Sequence, residues 1–143
     1  MFFDQISQIP TIAQRTSCAI FVVSPYTKLK LPNALTLTPA EDKQTPVITV
    51  EQIREIIALT NSKETSERFF IIAPADAMNE AAENAFLKSF EEPKPHCHFV
   101  LLTEHPSALL PTILSRAQIF YPRLTGALDL APTAKNKTLE YAK

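Results

Sequence analysis

The chain has 143 residues, of which 45% are hydrophobic and 20% charged, so it can bury one core and disorder is excluded as the default state. A formal charge of -1 and a pI near 6.3 leave no basic excess, which excludes tight autonomous binding to nucleic acid. The two cysteines form no CxxC pair, and no apolar run reaches the ~18 residues of a membrane span. These features predict a cytoplasmic protein with reduced thiols and no membrane contact.

Glycine occurs once, at Gly126. Phosphate-binding loops of the P-loop and dinucleotide types need several glycines, whose backbone reaches positive φ and approaches phosphate oxygens closely. Neither motif can therefore be written in this sequence, and we expect no bound nucleotide cofactor.

The first half of the chain predicts a helix, two strands and a second helix. Apolar residues recur at helical spacing before Pro10, which predicts an N-terminal helix containing Phe2, Phe3, Ile6 and Ile9. The run AIFVV at 19–23 predicts a central strand, and LTL at 35–37 predicts a weaker one. Thr49 as N-cap with Gln52 forms a capping-box pattern that predicts the start of the second helix.

The second half alternates strands with helical segments. The predicted elements are a strand at 69–73, a helix capped by Asn79 and running to about Phe90, a strand at 99–103, helical turns at 107–114 broken by Pro111, and a strand at 117–121. The strands at 69–73 and 99–103 are unbroken apolar runs, which are typical of parallel strands covered on both faces.

This pattern predicts an α/β fold, a three-layer parallel sheet of about five strands with flanking helices. We assign residues 1–122 to one core domain. Residues 123–143 form a C-terminal tail or the start of a lid, with a marginal helix at 133–142.

Three histidines are candidate metal ligands. His96 and His98 alternate around Cys97, and His105 follows after the next predicted strand. On a strand His96 and His98 would point the same way, so one or two further ligands would complete a zinc-type site. The alternative is that all three are solvated at a strand entry and a loop, because alternation alone does not set tetrahedral geometry. We predict no metal site and keep a metal-dependent enzyme as the weaker alternative.

Acidic side chains stand at two further places. Glu91 and Glu92 close a predicted helix, where negative charge opposes the helix dipole by ~0.3–1 kcal/mol. The pair is therefore a candidate interface, with a plain solvated helix end as the alternative. Asp76 lies just beyond a predicted strand end, where ligands gather in α/β sheets. The residues that end this strand, Ala73 and Pro74, can neither bind magnesium nor polarise water.

Arg116 follows Ser115 immediately before the last predicted strand. A guanidinium fixed at the edge of the domain could reach a phosphate or carboxylate on another subunit. These two residues by themselves do not separate that role from a cap on a helix end.

Together these segments resemble a known family. The region from about Val47 to Tyr121 is similar to the AAA+ core of bacterial clamp-loader subunits, closest to the delta-prime subunit of DNA polymerase III. That family has an NALLK-type helix followed by LEEP, a strand that ends in a sensor Thr or Ser, and an LLPTI-SRC segment. The matching segments here are VEQIR at 50–54, NAFLK at 84–88, FEEP at 90–93, Thr103 at the sensor position, and LLPTILSRA at 109–117.

The departures from the family pattern concern the ATP site. After Val23 the phosphate loop and its helix are missing, and so is the zinc-binding module that follows in many members. Ala73 and Pro74 replace the Walker B Asp-Glu pair, which leaves Asp76 as the nearby acid of a degenerate motif. The arginine of the SRC motif is kept, but Ala117 replaces its cysteine. The lid and collar domains do not fit in the residues after Tyr121, so we expect both to be absent.

The resemblance implies a non-catalytic clamp-loader subunit in DNA replication that neither binds nor hydrolyses ATP. Its functional residue would be Arg116, next to Ser115, as an arginine finger offered in trans to ATP on a neighbouring ATPase subunit. Other clamp-loader subunits, and beyond them the sliding clamp, are the implied partners. The alternatives are that Arg116 is a relic or helix cap, and that the chain is a free-standing adaptor that keeps the AAA+ core as a protein-binding scaffold.

Overall fold

The apolar runs of the sequence form a parallel sheet. A computed structural model describes residues 1–40, 46–62, 66–91 and 94–122. The strands are β1 (Phe2–Phe3), β2 (Cys18–Val22), β3 (Ala34–Leu37), β4 (Arg68–Ile72), β5 (Cys97–Thr103) and β6 (Gln118–Pro122), in the spatial order β1-β6-β2-β5-β4-β3. The helices are α1 (Ile9–Gln14), α2 (Val50–Thr60), α3 (Glu80–Glu91) and α4 (Pro111–Arg116). The predicted α/β fold class is confirmed, with β1 added at one edge of the sheet.

The two central strands are β2 and β5, and every residue in both is buried. They pair in parallel, with Cys18 opposite Phe99 and Val22 opposite Thr103. Because side chains alternate along a strand, Ile20 packs into the core on one face of the sheet and Phe21 into the core on the other. Both faces of these strands are therefore apolar, which explains why the sequence shows unbroken hydrophobic runs.

The two faces of the sheet are covered unequally. One core contains buried residues of α2, α3 and α4, such as Ile53, Phe86 and Ile113. The other face is covered by the six-residue helix α1 and by Leu29 and Leu31. Residues 24–33, which link β2 to β3, contain turns and extended backbone and no helix.

The two long helices start as the sequence predicts. At α2, Thr49 Oγ1 accepts a 3.3 Å hydrogen bond from the Gln52 amide, and Gln52 Oε1 accepts a 3.0 Å bond from the Thr49 amide. At α3, Asn79 Oδ1 accepts a 2.8 Å bond from the Ala82 amide. Each bond satisfies a backbone N–H that has no partner within the first turn of a helix.

The predicted N-terminal helix is wrong at its first residues. Phe2 and Phe3 form β1, which pairs in parallel with β6, and the Tyr121 amide donates a 2.7 Å bond to Met1 O. Helix α1 begins only at Ile9, after a 3-10 turn. Pairing with a strand from the far end of the core outweighs the local helical spacing, which carries no information on such a distant partner.

The other predicted strands lie within two residues of the observed bounds. The tail at 123–143 and the helix predicted at 133–142 lie outside the described residues, so the predicted domain division stays a prediction.

Candidate functional site

Two residues singled out from the sequence, Asp76 and Thr103, meet at the carboxyl edge of the sheet. Thr103 is the last residue of β5, and Asp76 lies in a 3-10 turn that follows the neighbouring strand β4. Thr103 Oγ1 donates a 2.5 Å hydrogen bond to Asp76 Oδ1 and accepts a 3.0 Å bond from the His105 amide. Because Thr103 is fully buried, this hydroxyl is held by internal partners on both sides.

The strand end beside this pair carries no ligating side chain. Ala73 is buried, and the peptide bond that joins it to Pro74 is cis. Neither residue offers an oxygen or nitrogen from its side chain, so the nearest acid of the predicted degenerate Walker B motif is Asp76, which is bonded to Thr103.

Arg116 lies at the opposite end of the strands, near their amino ends. It ends α4, and the next strand starts at Gln118, close to the start of β2, where Ala19 and Gln118 are neighbours. Thr103, in contrast, is the neighbour of Val22 at the end of β2. The chain thus places Arg116 away from Thr103, the predicted sensor residue.

The Arg116 side chain is exposed and faces outward. Within the described part of the chain, no hydrogen bond or ion pair engages its guanidinium. Ser115 is also exposed, and its Oγ donates a 2.9 Å bond to the Thr112 carbonyl inside α4. The Ser115 hydroxyl is therefore bonded within the helix, whereas the Arg116 side chain is exposed and has no such bond to the described residues.

A buried carboxylate holds the start of the same helix. Glu83 of α3 is only 6% exposed, and its Oε1 accepts a 2.9 Å hydrogen bond from the Leu110 amide, directly before α4. Burial raises the pKa of Glu83, the bond from Leu110 acts in the opposite direction, and the charge of Glu80 raises it further. Sequence reasoning missed Glu83, although its spacing of three residues from Phe86 places it beside the apolar stripe of α3.

The three histidines do not come together. His96 Nδ1 lies 3.0 Å from Glu67 Oε2, and His98 Nε2 lies 3.4 Å from Glu67 Oε1 without hydrogen-bond geometry. His98 Nδ1 lies 2.6 Å from the Thr16 carbonyl, a bond that requires a proton on Nδ1. His105 follows the other end of β5, and within the described ranges no three His, Cys, Asp or Glu residues are grouped to hold a metal ion.

His96 and His98 both affect the pKa of the Glu67 carboxyl group. Burial acts to raise the pKa of Glu67, but the hydrogen bond with His96 and the nearby charge of His96 and His98 outweigh it, so the pKa lies below its ordinary value. The predicted alternative of three solvated histidines is wrong for His98, because this side chain is buried and stacks on Phe69 with ring centroids 5.0 Å apart.

A cavity of about 300 Å³ opens between α2 and α3. Its cationic side chains are Arg54, Lys88 and Lys94, and Phe99 of β5 contributes to its apolar lining. The predicted interface residues Glu91 and Glu92 cannot be placed around it, because the side chain of Glu91 and the whole of Glu92 lie outside what the structure describes.

Comparison with known families decides the relationship of this chain. Residues 5–123 match the family described as DNA polymerase III, delta subunit. The chain belongs to this family. The match spans all of the described core beyond the first four residues, and it confirms the resemblance seen in the sequence motifs.

Individual relatives are named as delta' subunits of DNA polymerase III. The chain is 34% identical over 84 residues to DNA polymerase III subunit delta' of Haemophilus influenzae, a match that covers 59% of this chain and 25% of that protein. It is 38% identical over 87 residues to subunit delta' of Pseudomonas aeruginosa, covering 59% and 26%. The Escherichia coli K12 subunit delta' is 34% identical over 92 residues, covering 63% and 27%. The chain therefore aligns with about a quarter of the length of each relative.

A solved structure has the same fold. The crystal structure of a DNA polymerase III gamma subunit-related protein from Thermotoga maritima, at 2.00 Å resolution, superimposes with a TM-score of 0.63 and 24% identity. The superposition covers 86% of this chain and 47% of that one, and at this identity it supports the fold alone.

Among the helices of the described segments, none is both long and apolar enough for a membrane span.

Proposed function

We propose that this chain acts as a delta-prime-like clamp-loader subunit in DNA replication, which has no ATPase activity and places Arg116 against ATP on a neighbouring ATPase subunit. The observation that carries this proposal is the position of Arg116, which is exposed at the end of a packed helix and away from its own sensor edge. An arginine finger stabilises charge that develops on the transferred phosphoryl group, and it contributes about 10³ to 10⁵ in rate in the best-measured GTPases.

The absence of an ATP site in this domain is the second part of the proposal. It is supported by the single glycine of the chain, which is too few for a P-loop motif, and by residues 24–33, which run from β2 to β3 without a helix whose N-terminus could hold phosphate. The bonds that Thr103 makes with Asp76 and His105 occupy the hydroxyl at the sensor position. We further assign residues 1–122 to one cytoplasmic core domain and 123–143 to a tail or the start of a lid.

The partners of this proposal are the clamp-loader ATPase subunit and, through the assembled complex, the sliding clamp. The weak negative charge of the chain favours contacts with proteins over autonomous binding of DNA. The relatives' names support a place in a DNA polymerase III assembly.

The test of the finger uses the ATPase subunit of the same organism. Wild-type chain, Arg116→Ala and Arg116→Lys are each mixed with that subunit, and complex formation and ATP turnover are measured separately. We expect all three to bind, Arg116→Ala to lower turnover at least about tenfold, and Arg116→Lys to restore it only in part, because lysine lacks the planar fork. Arg15→Ala is the control, since Arg15 is also exposed but follows α1 on the other face of the sheet. Failure to form a complex, or unchanged turnover with Arg116→Ala, contradicts the proposal.

The absence of ATP binding has its own test. Isothermal titration of the isolated chain with MgATP should give no saturable signal up to about 1 mM, an affinity of roughly −4 kcal/mol. A micromolar dissociation constant would contradict the argument from glycine and from the sensor position.

One observation favours a second candidate, a free-standing adaptor that binds another protein. The cavity between α2 and α3 combines three cations with an apolar lining, a combination suited to an acidic segment with a hydrophobic side chain. Affinity capture from cell extract separates the two functions. Recovery of replication proteins alone supports the clamp-loader role, whereas recovery of an unrelated protein that is lost with Arg54→Glu and Lys88→Glu supports the adaptor.

A further inference from the structure

We infer that Glu83 is a positioning residue for Arg116, because it fixes the start of helix α4 through the Leu110 amide. The inference deepens the proposed function and rests on it, since a positioned Arg116 matters only if the arginine acts on a partner. Glu83 belongs to none of the sequence motifs that carry the resemblance.

Leu110 is held on both sides of its peptide unit. Its N–H donates the 2.9 Å bond to Glu83 Oε1, and its carbonyl accepts bonds of 2.9 and 3.1 Å from the amides of Ile113 and Leu114. The carboxylate of α3 is thus connected through one residue to the first turn of α4. Leu109 and Ile113 are buried on either side of this point and complete the anchor.

Helix α4 depends on such anchors for its direction. It has six residues and is about 9 Å long, too short to be stable by itself. Its position therefore comes from packing and from its end contacts. Arg116 is its last residue, so a shift of the helix start at Leu110 moves the guanidinium at the other end. A displacement of about 1 Å at a catalytic group can lower a rate about 10²-fold.

Packing alone does not explain a carboxylate at this place. Acids in the first turn of a helix interact well with its dipole, but an exposed acid gains that benefit too, as Glu80 can. Glu83 is instead buried beside Ala82 and Phe86, where removal from water disfavours its charge. Glu83 Oε1 accepts a hydrogen bond from the Leu110 amide, outside its own helix, and this bond partly offsets the unfavourable burial.

The test compares Glu83→Gln, which keeps an acceptor of the same shape, with Glu83→Leu, which fills similar space without one. Two properties are measured: hydrogen exchange of the Leu110 amide in the isolated chain, and ATP turnover of the partner at saturating complex. We expect Glu83→Leu to speed exchange at Leu110 and to lower turnover at least about tenfold, with the dissociation constant of the complex unchanged. Glu83→Gln should resemble wild type in both measurements.

A second variant removes the donor instead of the acceptor. Leu110→Pro deletes the N–H, and its φ of -59° and ψ of 139° already suit a proline, as does the extended Leu109 before it. This variant should lower turnover as Glu83→Leu does, even if Glu83→Leu fails to fold. Ile53→Val, a buried truncation in α2, controls for general loss of stability.

Non-additivity identifies Arg116 as the residue through which Glu83 acts. In an Arg116→Ala background, Glu83→Leu should have no further effect on turnover. The inference is overturned if Glu83→Leu leaves Leu110 exchange unchanged, if Ile53→Val lowers turnover equally, or if the effects of Glu83→Leu and Arg116→Ala multiply. Should Arg116→Ala itself leave turnover unchanged, the proposed function fails, and the inference fails with it, whatever the exchange of Leu110 shows.

Discussion

Thr103 Oγ1 and Asp76 Oδ1 lie 2.5 Å apart, joined by a hydrogen bond between the end of β5 and the turn after β4. The threonine also accepts a hydrogen bond from the His105 amide two residues later, so its buried hydroxyl joins the turn after β4 to the segment that follows β5. The predicted sensor residue Thr103 thereby connects two segments at the carboxyl edge of the sheet.

Removal of this hydroxyl should destabilise the domain. Thr103→Val keeps the shape of the side chain but leaves the His105 amide and the Asp76 carboxylate without their partner, which costs about 1–3 kcal/mol. Urea unfolding followed by circular dichroism measures the change, and Thr103→Ser, which keeps the hydroxyl, should lose less. Equal midpoints for Thr103→Val and wild type would show that the bond contributes nothing to stability.

The core under α3 depends on Phe86. This side chain is fully buried and packs edge-on against Phe99 with ring centroids 4.9 Å apart. Phe86→Ala should lower the free energy of unfolding by about 3–5 kcal/mol, since it leaves a cavity in a packed interior. Phe86→Leu, which restores the NALLK pattern of the related family, should lose clearly less. A comparable loss for both variants would mean that the site collapses around leucine no better than around alanine.

The capping box of α2 offers a smaller and local effect. Thr49→Ala removes the acceptor for the Gln52 amide and should cost about 1 kcal/mol, whereas Thr49→Ser should be close to neutral. Thermal unfolding of the three proteins at one pH provides the comparison. An unchanged melting temperature for Thr49→Ala would show that water replaces the cap without loss.

Glu83 should give the protein an acid-side pH dependence of stability. Its pKa is raised above the ordinary 4.5 by burial, so the folded state binds this proton more tightly than the unfolded state does. Its contribution is therefore most favourable below pH 4.5 and falls as the pH rises through the raised pKa. Unfolding free energies of wild type and Glu83→Gln should diverge between pH 4.5 and the raised pKa, because the variant lacks the carboxyl group whose contribution to stability falls there.

Glu67 supplies the contrasting case. Burial opposes its ionisation, but the histidine contacts win and lower its pKa, so its favourable contribution is present above 4.5 and is lost as the pH falls through the lowered pKa. Glu67→Gln should therefore remove the loss of stability that the wild type shows as the pH falls below 4.5. Glu83→Gln should leave that loss nearly unchanged. Identical pH profiles for the two variants would contradict both assignments.

The thiols should be unreactive in the folded protein. Cys18 and Cys97 are each 4% exposed, and burial raises the pKa of the Cys18 thiol well above its usual value. A chromogenic thiol reagent at pH 8 should modify neither residue until urea unfolds the chain. Leu35→Cys is the positive control, because Leu35 is 44% exposed. Rapid modification of wild type without denaturant would show that the domain opens locally.

Local signals in the sequence were sufficient for much of the fold. The capping pair Thr49 and Gln52 marks its helix because both partners lie within one turn, and the apolar run of β5 marks a strand buried on both faces. Phe2 and Phe3 were predicted wrongly because their conformation depends on β6, whose position no local pattern reports.

The candidate site was predictable only in part. Asp76, Thr103 and Arg116 could be chosen by residue type and motif, but the bond between Asp76 and Thr103 joins two segments whose proximity depends on sheet order. Glu83 was missed because a glutamate beside an apolar stripe is usually solvated, and its partner is a backbone amide that the sequence does not display.

The central position of β2 in the sheet also affects how the chain folds during synthesis. Cys18 pairs with Phe99 and Ala19 with Gln118, so both neighbours of this strand are synthesised about 80 to 100 residues after it. At 5–20 residues per second, the apolar strand waits for roughly 4 to 20 s with both backbone edges open. Unpaired edges of this kind favour aggregation. A low concentration of the newly made chain with abundant chaperone should therefore raise the soluble yield, and a fragment that stops before Gln118 should precipitate.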